Sequence, residues 1–589
     1  MLNSLYGGFF CTEEVKMAIL QPLIDLAHIC YEHGIRHVVL SPGSRSAALT
    51  LAFSRHEGFK MYPVMDERSA GFIALGIAQQ LGTPVVLLCT SGSAAYNLAP
   101  AVTEAFFQQI PLLILTADRP KEWIHQHDGQ TIYQSELYGK HVKKFFEFSA
   151  DYSNSDVAWS VNRITNNAVN LAAEIPFGPV HINIPIREPF YPSGDETMIR
   201  SEQIRIIKRM PVEVSLSTDV WHELLNEWDD ASKILIVGGQ HPKSDRLNKS
   251  LSQISEELDV PVVGDSIANL CGSDQFIYHQ DLILLSGDSA ELAPDLLITY
   301  GLSLISKELK TFLRKNPATV HWHIGQDESW TDPLQTVTRQ LAVSSEYFFE
   351  NLFEKIDYQL FVQNSDSEND SSYLATWLAK SAIARVILEN NLSNLTELTD
   401  LTAIDFIIKS LNFEHQLHIG NSMSIRYVNV LGKSCNVNAV FCNRGTSGID
   451  GSVSTALGAA IVNNMPTVLI VGDVSFLYDR NGLLINFLPP NVKIIVLNNA
   501  GGNIFRMIDG PAKLPELGNF FETRHTYNAK RTAEDSGLLY MPIDNLKSLT
   551  NDLPFFLDHP NACIMEIFTD PSQNALVWKE LKSRMRDLY

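Results

Sequence analysis

Pro466–Phe505 reads PTVLIVGDVSFLYDRNGLLINFLPPNVKIIVLNNAGGNIF. It holds two apolar runs, Val468–Val471 and Ile494–Leu497; the first stops at Gly472-Asp473 and the second at Asn498-Asn499. Apolar runs that end abruptly in turn residues are the pattern of buried parallel strands. Between them Phe476, Leu477, Leu483, Leu484, Phe487 and Leu488 recur at spacings that predict one helix face on the sheet, closed by Pro489-Pro490. The unit is therefore β-α-β and the fold class α/β. Carboxyl ends of adjacent strands open onto one crevice, where ligands of such sheets sit. Asp473 and Asn498-Asn499 fall there. A carboxylate, an amide oxygen and a nearby backbone carbonyl form a hard oxygen set suited to Mg²⁺, and Gly501-Gly502 permit close backbone approach. Taken alone, Gly-Asp also reads as an ordinary turn at a strand end.

Outward from this stretch the α/β alternation continues. Residues 13–35 carry a helical pattern ending at His33-Gly34, and Val38–Leu40 is a strand running into SPGSRSAALT. A helix through RSAGFIALGIAQQLG, a strand PVVLLCT, a helix after SGSAAYN, and strands PLLILTADRP and VHINIP follow. This is a parallel α/β block. YPSGDETMIRSEQ, 191–203, reads as a linker. A second block has strands at ILIVGG, VPVVGD, DLLITYG and VHWHIG, with fewer polar residues at the strand ends than the first. QNSDSENDSSY, 363–373, is acidic and poor in apolar residues, so a flexible connection is expected. The reading is three α/β domains with mainly parallel sheets, at 1–192, 204–362 and 374–589.

A chain of 589 residues is too long for one core, which agrees with several domains. Forty-five per cent hydrophobic and 19% charged residues are ordinary for a globular enzyme. No apolar run approaches a membrane span, and the N-terminus lacks the basic region of a signal peptide, so a cytoplasmic protein without membrane insertion is expected. Seven cysteines form no CxxC pair and read as reduced and mostly buried. The seventeen histidines include no HExxH, and His321 and His323 alternate as structural strand residues do. A net charge of −22 argues against nucleic acid as partner. An anionic substrate would need local arginines. GSRSAALT lacks the Lys of a P-loop and IVGGQHP lacks GxGxxG, so neither phosphate fingerprint applies.

In MDERSAGFIALG, Glu67 precedes a helix rich in small residues; alone it also reads as a first-turn carboxylate favoured by the helix dipole. The Gly-Asp, followed 26 residues after the Asp by the second Asn, resembles the metal and diphosphate motif of thiamine-diphosphate enzymes, with Val474 where Gly is usual. SPGSRS, DERSAGFIALG, CTSGSAAYN, LTADRP, GNSMSIR, NRGTSGIDG and GDVSFLYD, in that order, extend the likeness over nearly the whole chain. They resemble the 2-succinyl-5-enolpyruvyl-6-hydroxy-3-cyclohexene-1-carboxylate (SEPHCHC) synthase family of menaquinone biosynthesis.

The resemblance implies pyrimidine-binding, central and diphosphate-binding domains. It implies that Glu67 hydrogen-bonds the aminopyrimidine of thiamine diphosphate and that Ile449 props the bent cofactor. Gly472, Asp473, Val474, Ser475, Asn499, Gly501, Ile504 and Phe505 would bind the cofactor, with Mg²⁺ or Mn²⁺ on Asp473, Asn499 and Gly501. The implied reaction decarboxylates 2-oxoglutarate and adds the succinyl unit to isochorismate, releasing CO₂. Both substrates are dicarboxylates, which guanidinium forks grip bidentately. Ser44, Arg45, Arg119, Gln130 and Lys307 would serve isochorismate, and Ser422, Arg426, Arg444, Ile504 and Phe505 the other substrate and adduct. Taken alone, each cation also reads as a solvated surface charge, and Lys307 and Gln130 rest on looser motifs. The family forms homodimers or homotetramers with active sites between subunits. The alternatives are an acetolactate-synthase-like or other 2-oxoacid decarboxylase, against which the arginine set argues, and a catalytically inactive sensor, against which Glu67 and Asp473 argue.

Overall fold

The structure, a computed structural model, describes residues 13–188, 191, 198–285, 289–326, 331–356, 372–432, 437–508 and 510–586. The first twelve residues read above for targeting, 192–197 of the expected linker and 363–371 of the acidic connection lie outside the described residues. The chain divides into two compact units. The first runs through Met210 and takes in Leu457–Val462 and Asn481–Phe487; the second comprises Pro211–Ala456, Asn463–Arg480 and Leu488 onward.

The first unit holds one sheet of strands β1 (His37–Leu40), β2 (Lys60–Pro63), β3 (Val85–Cys89), β4 (Leu112–Asp118), β5 (Lys144–Glu147) and β6 (Val180–Pro185). Their order is β2-β1-β3-β4-β6-β5, and every ladder is parallel. The central strands β3, β4 and β6 are buried throughout, as continuous apolar runs covered on both faces must be. The edge strands KMYP and KFFE are short and partly exposed. They escaped the sequence reading because an edge needs no apolar run.

The second unit holds two sheets. One contains β7 (Ile234–Gly238), β8 (Val262–Gly264), β9 (Leu296–Tyr300), β10 (Val320–Ile324) and β11 (Arg339–Leu341), ordered β11-β10-β9-β7-β8. The other contains β12 (Gln416–Ile419), β13 (Ala439–Phe441), β14 (Thr467–Gly472), β15 (Val492–Asn498), β16 (Leu539–Ile543) and β17 (Cys563–Phe568), ordered β13-β12-β14-β15-β17-β16. That order repeats the first sheet strand for strand. In both, the winding reverses beside the first strand, between β1 and β3 and between β12 and β14. Ligand crevices open at such switch points.

One expectation needs correction. The segment between β14 and β15 is not one helix: Asp473–Asp479 is helical, Arg480–Leu483 tightens into a 3-10 turn, and the chain then runs irregularly to Pro489. The buried Asp479 carboxylate is used elsewhere, accepting from Ser454 N at 2.7 Å and Ser454 Oγ at 2.8 Å. Asn481-Gly482, poor helix formers, follow after Arg480. Just beyond β7, β8 and β9 of the middle sheet stand the polar residues Gln240, Asp265, Asn269, Ser303 and Ser306. His321 and His323 are structural, both within 2.9 Å of Thr299 Oγ1.

Candidate active site

In the first unit the helix Glu67–Leu81 is capped by Asp66, which accepts from Arg68 N at 2.9 Å and Ser69 N at 3.3 Å. Asp66 therefore does the capping, and the Glu67 carboxylate is left for another role. Glu67 lines a cavity of about 460 Å³ together with Met65, Arg68, Asn97, Asn481 and Leu484, with Asn97 Nδ2 3.5 Å from Glu67 Oε2. Asn481 Nδ2 donates to Asp66 at 2.8 Å, so the cap is also bonded to another residue of the lining. Behind Glu67 a Cβ on Gly71 would lie 2.6 Å from Ala101 Cβ, which is why a glycine lets the helix Ala99–Phe107 pack so close.

Arg45 follows β1. It is 5% exposed, donates to Ile186 O at 2.8 Å and lies 3.6 Å from Glu188. Arg119 follows β4; its Nε donates to Gly129 O at 2.9 Å and lies 3.0 Å from Asp128. Burial, and then the field of Arg119, lowers the Arg45 guanidinium. Two guanidiniums that repel one another form a place where an added carboxylate is stabilising. Ser44 and Gln130 are exposed beside them, Gln130 at φ +57°.

In the second unit Asp473 begins the helix after β14 and is 3% exposed. Its Oδ2 accepts from Gly501 N at 2.9 Å, and His525 Nε2 lies 3.3 Å away; Asp473 raises that imidazole. Asn499, one residue beyond β15, donates from Nδ2 to Asp400 Oδ2 at 2.9 Å. Its buried Oδ1 has no partner among the described residues. Gly501 has φ +150°, and a Cβ there would lie 2.5 Å from Glu522 O, so only glycine brings the backbone this close. Among the described residues there is no cluster of three His, Cys, Asp or Glu that could hold a metal. One carboxylate, one orphaned amide oxygen and a backbone carbonyl are instead a hard oxygen set, and they fit a divalent cation that takes its other ligands from phosphate and water.

Around this cradle Gly472 caps the helix that carries Val474 and Ser475, and Ser475 Oγ donates to Ile449 O. Ile449 keeps 38% of its surface exposed, and Asn421 Nδ2 ties its loop at Gly448 O, 2.7 Å away. Ile504 and Phe505 are half-buried beyond Gly502.

Ser422 stands before the helix Met423–Leu431 at φ +73°, a strained conformation for a serine. Arg426 donates back to Ser422 O. Arg444 donates from Nη1 to Asn421 Oδ1 at 3.0 Å, and its buried Nε has no partner among the described residues. Burial, and then the field of Arg444, lowers Arg426.

The loops of the middle sheet hold this pair. Asn269 donates to Val440 O at 3.1 Å and accepts from Val440 N at 2.7 Å. Gln240 Nε2 donates to Cys442 O at 3.2 Å, and Ser303 Oγ to Arg444 O at 3.2 Å. Asp265 accepts from Ile305 N, from Ser306 N at 3.2 Å and from Asn429 Nδ2 at 3.0 Å, three residues past Arg426 on its helix. Lys307 is exposed at the start of the helix Lys307–Lys315. Lys310, one turn later, is half-buried and donates to Leu304 O at 3.0 Å; burial and the fields of Arg444, Arg314 and Arg426, against that of Asp265, lower it.

Residues 25–137 match the family model described as the thiamine pyrophosphate enzyme N-terminal TPP-binding domain. A 2-succinyl-5-enolpyruvyl-6-hydroxy-3-cyclohexene-1-carboxylate synthase of Cytophaga hutchinsonii is 42% identical over 97% of this chain and 100% of its own length. The chain belongs to the SEPHCHC synthase family. Synthases of the same name from Flavobacterium psychrophilum and Porphyromonas gingivalis are 36% and 35% identical, covering 95% and 93% of this chain and 98% and 94% of their own. The expected synthase residues fall into separate groups: Glu67 with its cavity, Arg45 with Arg119, Asp473 with Gly501 and beside Asn499, and Arg426 with Arg444. Asp400, His525, Asp265 and Lys310 went unread in the sequence. Lys310 alone left a signal there, since it lies one helical turn from Lys307.

Proposed function

We propose that this chain joins 2-oxoglutarate to isochorismate with loss of CO₂, forming SEPHCHC for menaquinone biosynthesis. What carries the reading is membership of the synthase family at 42% identity over nearly the full length. Thiamine diphosphate, when bound, supplies the electron sink that accepts the pair released by decarboxylation. Glu67, freed from capping, would hold a proton at its carboxylate against the aminopyrimidine ring. Asp473, the Asn499 amide oxygen and the Gly501 carbonyl would hold Mg²⁺ or Mn²⁺, and Ile449 would brace the cofactor. Arg426 and Arg444, joined by Lys310, would bind the carboxylates of 2-oxoglutarate. Arg45 and Arg119, with Ser44, Gln130 and Lys307, would bind isochorismate. Arg426 and Arg444 already repel one another, which supports a doubly charged substrate over pyruvate.

With this reading go the three domains, a homodimer or homotetramer, and a cytoplasmic location. Among the described residues no helix is long and apolar enough to cross a membrane. The test is isochorismate consumption by purified protein, with 2-oxoglutarate, thiamine diphosphate and Mg²⁺ omitted in turn. Activity should vanish on each omission. Decarboxylation of 2-oxoglutarate or pyruvate with isochorismate untouched would reject the reading.

A further inference from the structure

An asparagine amide has two ends of nearly equal shape and opposite chemistry: the oxygen accepts or ligates, and the nitrogen only donates. A cation site that uses Asn499 therefore needs something to decide which end faces the cation. The Asn499 nitrogen lies 2.9 Å from Asp400 Oδ2, and an ionised carboxylate only accepts, so the end facing Asp400 is the NH₂. Asp400 is 1% exposed and held in turn. Its Oδ1 accepts from Thr569 Oγ1 at 2.6 Å; Thr569 Oγ1 accepts from Asn574 Nδ2 at 3.0 Å; and Asn574 Oδ1 accepts from Asp400 N at 2.8 Å. The ring closes on itself. Asp400 also opens the helix Asp400–Ser410, fixed by the capping box of Thr399 and Thr402. What remains is the Asn499 oxygen, buried and unpartnered among the described residues.

We propose that Asp400 is a positioning residue that locks the Asn499 amide with its oxygen toward the divalent cation, and so sets cation affinity. This rests on reading Asp473, Asn499 and Gly501 as the cation site. Partners behind a metal ligand orient it, and losing one typically weakens binding about 10- to 100-fold.

The test is Mn²⁺ binding by full-length protein with thiamine diphosphate, followed by the electron paramagnetic resonance of free Mn²⁺. Asp400→Asn can offer Asn499 either end of an amide, and Mn²⁺ affinity should fall by about tenfold or more. The exchanged pair Asp400→Asn/Asn499→Asp keeps the charge and the hydrogen bond, and again leaves an oxygen for the cation. It should regain most of the affinity. A structural role alone would not be rescued, so a weak single variant with an equally weak, folded exchanged pair overturns the proposal. If Asp400→Asn does not fold, the exchanged pair decides alone: folded and tight supports the proposal, folded and weak overturns it. Asp473→Ala separates the two levels. Affinity lost there but unchanged in Asp400→Asn overturns the proposal and spares the cation site; unchanged affinity in both rejects the cation site itself.

Discussion

Asp66 and Glu67 are adjacent acids with divergent environments. Asp66 has both oxygens engaged by the helix start and by Asn481, whereas Glu67 faces a cavity. Glu67→Gln should keep the fold and cofactor binding while turnover falls roughly 100- to 10,000-fold, the usual worth of a positioned proton carrier; unchanged turnover would reject the role. Lys310→Met should raise KM for 2-oxoglutarate about tenfold or more with a smaller change in kcat, because a charged hydrogen bond to substrate is worth about 1.5–3 kcal/mol. An unaltered KM would leave the arginines as the whole carboxylate site. His181 bears on stability instead. Thr116 Oγ1 donates to Asn183 at 2.9 Å, so it accepts from His181 Nε2 at 2.7 Å, and Nδ1 is left without a partner among the described residues. Burial pushes this imidazole from 6.5 down to about 3. The unfolded chain then binds the extra proton. The contribution is whole above pH 6.5 and is lost as the pH falls toward 3, at about 1.4 kcal/mol per pH unit. His181→Gln should therefore flatten the fall in Tm between about pH 4 and the imidazole's ordinary range; parallel curves would show that the burial carries no such cost.

The loops after β7, β8 and β9 carry no expected ligand residue, yet they grip the segment ending at Arg444 and the helix bearing Arg426. The middle sheet is thus tied to the arginine pair rather than serving as a spacer. Asn269→Ala removes the paired bonds to Val440. It should lower Tm, since stranded backbone groups cost about 1–3 kcal/mol each, and raise KM for 2-oxoglutarate while cofactor affinity holds; a fall in Tm with KM intact would limit the loop to a structural role. These polar residues were visible in the sequence but not their use, because each bonds across loops to residues far along the chain. The segment from Asn481 to Phe487 failed differently. Its apolar spacing suits a helix, but Asn481 bonds Asp66, Leu484 stays exposed beside the Glu67 cavity, and Asn481–Phe487 belongs to the first unit.

The same strand order occurs in the first and third sheets, and at equivalent positions they carry SPGSRS after β1 and GNSMSIR after β12, TSGS after β3 and DVS after β14. Two copies of one architecture thus carry different residues at equivalent strand ends, and on the proposed function the first would serve proton transfer and the third diphosphate binding. In solution the protein should have a mass two or four times its 65.8 kDa chain, measured by light scattering; a monomer active at assay concentration would reject shared sites. The α/β class, the main strands and the motif order were legible in the chain alone because they are local: an apolar run, a turn residue and a functional side chain lie within a few positions. Folding chose which acid caps the Glu67 helix, which lysine feels the field of the arginines and which way the Asn499 amide points. Those choices belong to partners as distant as Asp400, 99 residues before Asn499, and a hydrogen bond depends on separation in space, which no local pattern encodes.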